Sequence, residues 1–277
     1  MAAVLLALGA SATWGIGDFV GPLKGRTLGT LRVLFLAQIA GLSLMAAVVA
    51  VHAEAPPGAA VLLAAPAAVC GTFGLVALYQ GMAAGAMSIV APIAGVSAAI
   101  PVVIGIATGE RPRVLQLAGI VLALVGVGIT AREPRAAGAP RVAAGVGLAL
   151  LAALGFGLYF VPMHTAGDAD AAWAALIFRI TSVSLVGTAV LVTRPTLRIA
   201  RADLAVVASA GVLDTIGNLL FAASSAYGLV SVTSVLASLY PVVTIVLAHR
   251  LLHERTAPSQ KAGIVGTLAG VALIAGG

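Results

Sequence analysis

The chain has 277 residues, of which 61% are hydrophobic and 9% are charged, and its formal net charge is +6 at pH 7. Soluble domains usually contain about 25% charged residues, and this composition cannot supply the polar surface that a soluble protein of this size needs. We therefore expect an integral membrane protein that lies in the lipid bilayer.

The basic residues do not indicate nucleic-acid binding, because the fifteen Lys and Arg form no basic face with interleaved aromatic residues. Cys70 is the single cysteine, which excludes an intrachain disulfide and a cysteine metal cluster. The four histidines match no metal-ligand motif. We expect no metal, no cofactor and no nucleic-acid partner.

Ten apolar segments have about the 20 residues that a membrane-spanning helix needs. Their apolarity is continuous, whereas the strands of a membrane barrel would alternate with polar residues. The predicted fold class is therefore an all-α integral membrane protein with ten transmembrane helices. The predicted helices cover residues 2–21, 30–51, 59–81, 87–107, 113–131, 142–162, 171–193, 203–226, 230–249 and 259–276.

The loops differ strongly in positive charge. The loops after even-numbered segments contain only Arg111 and Arg113. Because Lys and Arg accumulate in cytoplasmic loops, we expect the odd-numbered loops in the cytoplasm and both termini outside. The basic residues after odd-numbered segments are Lys24, Arg26, Arg32, Arg132, Arg135, Arg141, Arg194, Arg198, Arg201, Arg250, Arg255 and Lys261.

The sequence contains an internal repeat. GIGDFVGP at 15–22 aligns with GFGLYFVP at 155–162, and the ERPRVLQLAGIVLALVGV stretch from Glu110 aligns with ERTAPSQKAGIVGTLAGV from Glu254. We predict a first repeat over 1–131, a loop over 132–141 and a second repeat over 142–277. Five spans in each repeat make the two repeats inverted, an arrangement found in secondary transporters with a substrate site at the repeat interface. We expect them to surround a central cavity.

Several of these residues carry a family resemblance. The TWGIGDF stretch at 13–19, Arg32, and the long SLYPVVTIVLAHRLLHERTAPSQKAGIVGTLAGVALI stretch from Ser238 resemble the EamA family of the drug/metabolite transporter superfamily. The resemblance covers both repeats. It implies ten helices around a central cavity and the export of small metabolites such as amino acids, or of drugs. It also implies cytoplasmic termini, the reverse of the charge distribution.

Asp214 and Arg179 lie near the middle of segments eight and seven, where an unpaired charge is costly. One hypothesis makes Asp214 a proton-coupling carboxylate whose partner is Arg179. A second makes the two residues a fixed ion pair that only locks two helices. In a third, Arg179 binds a substrate carboxylate and Asp214 its amine. The sequence leaves all three open.

Other polar side chains in apolar segments are candidates for lining the cavity. Asn218 follows Asp214 by four residues and so shares its helix face. Trp14, Tyr79 and Tyr159 lie deeper than the interfacial belt usual for Trp and Tyr, and they could hold amphipathic solutes by stacking and cation–π contact. The candidate substrate-binding residues are Trp14, Tyr79, Gln80, Tyr159, Arg179, Asp214 and Asn218.

Two further features concern helix ends and bends. Asp18 lies near the predicted end of segment one, where we expect it to pair with Lys24 or Arg26 at the membrane interface. Its position in the WGIGDF motif also keeps it as a candidate site residue. Pro101 and Pro241 are repeat equivalents within segments four and nine, and proline kinks helices. They are candidate gating hinges, or they only shape the packing.

These features favour a secondary transporter that exports small metabolites, such as amino acids or related amphipathic solutes, by alternating access across a bacterial inner membrane. Its energy would come from protons or from the solute gradient, since no phosphate-binding loop is present. The alternatives are a multidrug exporter, a membrane-embedded lipid-modifying enzyme and a passive channel. We do not expect an enzyme. The expected partners are a small-molecule substrate, the lipid bilayer and protons, and the expected state is a monomer or a homodimer.

Overall fold

The computed structural model describes residues 1–52, 55, 58–84, 87–130, 143–251 and 258–276. Within these residues the regular structure is helical, and short 3₁₀ turns cover Ala59–Leu63, Val96–Ala98 and Ser225–Tyr227. The helices are α1 (Ala2–Leu28), α2 (Thr30–His52), α3 (Ala64–Ala84), α4 (Met87–Gly95), α5 (Ala99–Ala107), α6 (Val114–Thr130), α7 (Ala143–Ala169), α8 (Ala171–Thr193), α9 (Arg201–Ser224), α10 (Val230–Ala237), α11 (Tyr240–Leu251) and α12 (Pro258–Gly276).

The predicted all-helical class is confirmed, and each of the ten predicted segments is helical where it is described. Among the described residues, three apolar helical stretches are shorter than a full span, namely Ile93–Ala107, Val114–Gly126 and Lys261–Ile274. The number of ten crossings therefore stays a prediction. In the part of the chain that the structure describes, seven stretches are long and apolar enough to cross a membrane: Ala2–Leu28, Thr30–Val51, Ala59–Ala84, Gly145–Ala169, Ala171–Thr193, Arg201–Tyr227 and Val230–Leu251.

The fourth segment of each repeat is divided into two half-helices. Pro101 is the third residue of α5, and Pro241 is the second residue of α11. Proline is tolerated in a first helical turn, because the amide that it lacks would have no partner there. Each proline therefore begins a new half-helix just after a break. Their role as gating hinges remains a prediction.

The helices pack mainly across the two halves of the chain. The most extensive contacts are α1 with α9, α3 with α7, α6 with α12, and α2 with both α8 and α9. Exchanging every helix for its repeat equivalent turns the α1–α9 pair into the α7–α3 pair and leaves the α2–α8 and α6–α12 pairs unchanged. This pairing is the one that a pseudo-twofold axis between two repeats requires.

Glycines in α6 and α12 show the same symmetry at the level of single residues. A Cβ added to Gly119 would lie 2.6 Å from the carbonyl oxygen of Gly270, and one added to Gly126 would lie 2.7 Å from that of Gly263. The repeat offset of 144 residues maps the first contact onto the second. Small residues allow such close approach of membrane helices.

Side chains join the ends of odd-numbered segments at one end of the bundle. Lys24 Nζ lies 2.7 Å from Asp203 Oδ1, which connects the end of α1 to the start of α9. Arg26 Nη2 donates to the carbonyl oxygen of Met82 at 2.7 Å, near the end of α3. The ends of segments one and three and the start of segment eight therefore meet at this end.

The ends of even-numbered segments meet at the opposite end of the bundle. The Glu110 carboxylate accepts hydrogen bonds from the backbone amides of Val230 at 2.6 Å and Ser231 at 3.0 Å. These two amides begin α10, where helix amides have no partner within the helix. His164 Nε2 lies 2.9 Å from the carbonyl oxygen of Gly228. The chain thus alternates in direction as the sequence predicts, while the side that faces the cytoplasm stays a prediction.

The α3–α7 contact predicts a difference between two glycines on one helix. A Cβ at Gly155 would lie 2.7 Å from the carbonyl oxygen of Cys70, whereas a Cβ at Gly147 meets nothing within 4 Å. We expect Gly155→Ala to cost about 1–3 kcal/mol through overpacking. Thermal unfolding of the purified protein in detergent measures this as a lower melting temperature.

The matched control is Gly147→Ala, which we expect to be neutral or to stabilise the helix by up to about 1 kcal/mol. Equal melting temperatures for the two variants would contradict the close approach of α3 and α7.

The positive-inside distribution predicts the orientation in the membrane. In a Cys70→Ala background, we expect a cysteine at Arg198→Cys to be protected from an impermeant maleimide in intact cells, because the odd-numbered loops are predicted to be cytoplasmic. A cysteine at Arg111→Cys, in an even-numbered loop, should react. Labelling of the first and protection of the second would reverse the orientation and place the termini in the cytoplasm.

Candidate functional site

A cavity lies between the two halves of the chain. Its volume is about 50 Å³, measured as the space available to the centre of a water molecule. One water needs roughly 10–15 Å³ on this measure. In this conformation the cavity therefore has room for a few waters. The lining residues are Trp14, Asp18, Gln38, Gly71, Thr72, Leu75, Phe156, Tyr159, Phe160, Phe178, Asp214, Asn218 and Tyr240.

An ion pair between Arg179 and Asp214 lies beside this cavity. Arg179 Nη2 donates to Asp214 Oδ2 at 2.5 Å, and Arg179 Nη1 donates to Gln38 Oε1. The Arg179 side chain is 1% exposed, and its Cζ lies 5.3 Å from the centre of the Phe178 ring. The structure therefore joins the two charges that the sequence places in neighbouring segments, and it adds Gln38 as a partner.

Asp214 and Arg179 differ in their access to the cavity. A Cβ at Gly41 would lie 3.3 Å from Arg179 Nε and would overlap Thr215 Oγ1, so α2 needs glycine there. Asp214 is 19% exposed, and it lines the cavity while Arg179 lies behind it. A proton or solute in the cavity would therefore meet the carboxylate before the guanidinium.

Further hydrogen bonds connect Asp214 to two other helices, α1 and α7. Asn218 Nδ2 donates to the backbone carbonyl of Asp214 at 2.7 Å, and the Tyr159 hydroxyl donates to Asn218 Oδ1 at 2.7 Å. Trp14 Nε1 lies 3.3 Å from the same Asp214 carbonyl. The ring of Trp14 packs edge-on to that of Tyr159, with 6.0 Å between centroids. Four predicted residues, from α1, α7 and α9, thus meet at one place.

Two of the predicted site residues lie elsewhere. Gln80 is exposed, because it follows the buried Tyr79 by one residue and so points about 100° away around α3. It is not among the residues that line this cavity, and its role in substrate binding stays a prediction. Tyr79 is 4% exposed, and its hydroxyl packs against Gly21 of α1, outside the set of lining residues. The binding roles of the other predicted residues remain to be tested.

The predicted ion pair of Asp18 with Lys24 or Arg26 at the membrane interface is wrong. Asp18 is 6% exposed and lines the cavity, and no hydrogen bond or ion pair to it is found within the described part of the chain. Lys24 pairs with Asp203 instead, and Arg26 binds a backbone carbonyl. The reason is that α1 continues through Pro22 to Leu28, which places Asp18 about 15 Å from the helix end.

Several lining residues were not singled out as site candidates from the sequence. Gln38 carries a signal that could have been used, because its amide lies in an apolar segment and needs a partner, as that of Asn218 does. Thr72 donates to Ser182 Oγ at 3.0 Å across α3 and α8. Phe156 and Tyr240 pack edge-on with 6.2 Å between centroids. A phenylalanine in an apolar helix gives no signal of its own, so Phe156 could not have been found.

No group of three or more His, Cys, Asp and Glu that could hold a metal occurs in the described ranges. The chemistry available at this site is therefore that of one arginine, two carboxylates, two amides, hydroxyl groups and aromatic rings. Such groups bind polar solutes and exchange protons.

The Tyr159–Asn218 hydrogen bond predicts an effect on stability. Tyr159→Phe leaves Asn218 Oδ1 buried without its donor, which costs about 1–3 kcal/mol. We expect a lower melting temperature in detergent than for Tyr227→Phe, a control in which the hydroxyl is removed from a side chain that is 65% exposed. If both variants melt like the unmodified protein, this hydrogen bond does not stabilise the bundle.

Comparison with known proteins agrees with this architecture. A crystal structure, titled only "Crystal structure of protein", superposes with a TM-score of 0.76 at 16% sequence identity, over 98% of this chain and 95% of that chain. At this identity the likeness shows the fold alone. No curated protein matches the sequence. The model of the EamA-like transporter family matches residues 1–132 and 143–276, nearly the whole chain in two parts. The chain therefore belongs to the EamA-like transporter family of multi-pass membrane proteins, as its sequence resemblance predicts.

Proposed function

We propose that this protein is a secondary transporter that exports a small metabolite across a bacterial inner membrane by alternating access. The observation that carries the proposal is the cavity between the two halves of the chain, which is lined by charged, amide and aromatic side chains from both. Transporters built from inverted repeats hold their substrate at such an interface. The Ala- and Gly-rich composition supports a bacterial source.

The size and lining of the cavity favour a solute of metabolite size. Drug-sized ligands usually occupy pockets of about 300–1,000 Å³, whereas this cavity has room for only a few waters in the present conformation. Aromatic rings and polar groups lie side by side in the lining, which suits an amphipathic solute such as an amino acid. This favours metabolite export over the export of large drugs.

The ion pair suggests how transport is coupled to protons. The Asp214 carboxylate faces the cavity and binds Arg179 of α8, so a proton that reaches Asp214 removes one partner of the pair. Arg179 then keeps its hydrogen bond to Gln38 of α2 and its contact with Phe178. Protonation of Asp214 therefore changes the α8–α9 contact more than the α2–α8 contact. A difference of this kind can bias the bundle between inward-open and outward-open states.

A proteoliposome assay tests the proposed function. Purified protein is reconstituted, and uptake is measured for pooled labelled amino acids and for cationic dyes, with and without an imposed pH gradient. We expect uptake of amino acids that depends on the gradient. Uptake of the large dyes alone would favour the multidrug alternative, and uptake that ignores the gradient would indicate a facilitator.

Coupling through Asp214 predicts the behaviour of Asp214→Asn. Asparagine keeps the size of the side chain and can still accept a hydrogen bond from Arg179, but it cannot ionise. We expect gradient-dependent uptake to fall to the level of protein-free liposomes while the protein still purifies as a folded species. Asp203→Asn is the matched control, because Asp203 pairs with Lys24 away from the cavity.

A double variant separates coupling from a purely structural role. Removing one partner of a buried pair can cost about 3–5 kcal/mol, whereas replacing both partners is often nearly neutral. If the pair only locks two helices, Arg179→Gln with Asp214→Asn should restore both the melting temperature and gradient-dependent uptake. Coupling by Asp214 requires that the double variant stays uncoupled even where its stability recovers.

A further inference from the structure

Asp18 is a second carboxylate in the cavity, and it has no partner among the described residues. Asp214 lines the same cavity but is balanced by Arg179. Asp18 is buried, and in the described residues no cation pairs with it. With both carboxylates ionised, the cavity and its arginine therefore carry one negative charge in excess. A buried carboxylate of this kind is balanced either by a proton or by a cation that enters the cavity.

A second unpartnered polar group lines the same cavity. The Tyr240 hydroxyl is buried and forms no hydrogen bond within the described part of the chain. Asp18 lies close enough to Asp214, and to Tyr79 and Tyr240, for its charge to interact with these three groups. Buried polar atoms in native proteins are nearly always hydrogen-bonded, so an exception in a cavity wall marks a place where a ligand or water binds.

Aromatic rings complete the surroundings of Asp18. Trp14 lies on the same helix as Asp18, one turn earlier, and both line the cavity. Phe156 packs against Tyr240. The faces of Trp, Tyr and Phe rings attract cations. The neighbouring Arg179–Phe178 contact shows that the walls of this cavity already hold a cation against an aromatic ring.

We propose that Asp18, Tyr240 and Trp14 form a subsite for the ammonium group of a small monovalent amine. The ammonium donates to the Asp18 carboxylate and to the Tyr240 hydroxyl oxygen, and its charge balances the excess negative charge of the cavity. A second carboxylate nearby, Asp214, disfavours an anionic group at this position. The proposal rests on the proposed transport function, because it names the chemical class of the transported solute, and it assigns a role to Asp18 that is distinct from that of Asp214.

Tryptophan fluorescence allows a direct binding test. The chain has two tryptophans, so Trp173→Phe leaves Trp14, in the cavity wall, as the single reporter. The full-length protein with this substitution is titrated in detergent with n-butylammonium, 1-butanol and butyrate, which share a chain but differ in charge. We expect saturable quenching by n-butylammonium, with 1-butanol and butyrate at least about tenfold weaker, as expected from the loss of one charge-assisted hydrogen bond.

The role of Asp18 is tested by Asp18→Asn in the same background. We expect the affinity for n-butylammonium to fall about tenfold or more, and Tyr240→Phe to cause a smaller loss. Asp203→Asn removes a carboxylate outside the cavity and should leave the affinity unchanged. Unchanged affinity in Asp18→Asn would overturn the proposal.

The comparison of the three ligands decides the matter even if Asp18→Asn does not fold. Binding of 1-butanol as tight as that of n-butylammonium would show that Asp18 offers no charge to the ligand, and it would overturn the proposal. The readout needs no gradient and no transport. Asp18-dependent binding without any uptake would overturn the proposed function and keep the subsite, whereas normal uptake with Asp18-independent binding would overturn the subsite alone.

Discussion

The structure depends on one buried cation. Arg179 lies in the middle of an apolar bundle, where an unpaired charge is far less stable than in water. Its Nη2 and Nη1 atoms donate to Asp214 of α9 and Gln38 of α2, its Cζ lies near the ring of Phe178, and its Nε forms no hydrogen bond within the described part of the chain. Because α2 belongs to the first half of the chain and α8 and α9 to the second, this cluster ties the two halves together at the cavity.

The packing around this cluster follows from small residues. The largest contacts all join a helix of one half to a helix of the other, and glycines such as Gly119 and Gly155 lie against backbone atoms of their partner helices. Apolar side chains gain little by leaving lipid, so close van der Waals contact and interhelical hydrogen bonds hold such a bundle together. Two halves joined in this way can rearrange about their common interface, which is where the cavity lies.

The cavity holds two carboxylates in different surroundings. Asp214 has a guanidinium partner and a link through Asn218 to Tyr159, whereas Asp18 has neither. Protonation of a paired carboxylate changes the contact between the helices that it joins. An unpaired carboxylate can bind a cationic ligand. In the proposed mechanism, the cavity has separate groups for a proton and for a solute, and such a separation is what coupled transport needs.

The sequence by itself determined the membrane environment, the helical class, the repeat and the family, because apolarity, segment length and internal similarity are properties of the chain. It also placed Asp214, Arg179 and Asn218 as polar groups that need partners. Only the tertiary structure decided which polar groups share one cavity. Gln80 points outward because of its position around α3, and Asp18 reaches the cavity because α1 continues through Pro22. Such positions depend on how helices end and on which neighbour they face, and both are settled by packing between segments far apart in the chain.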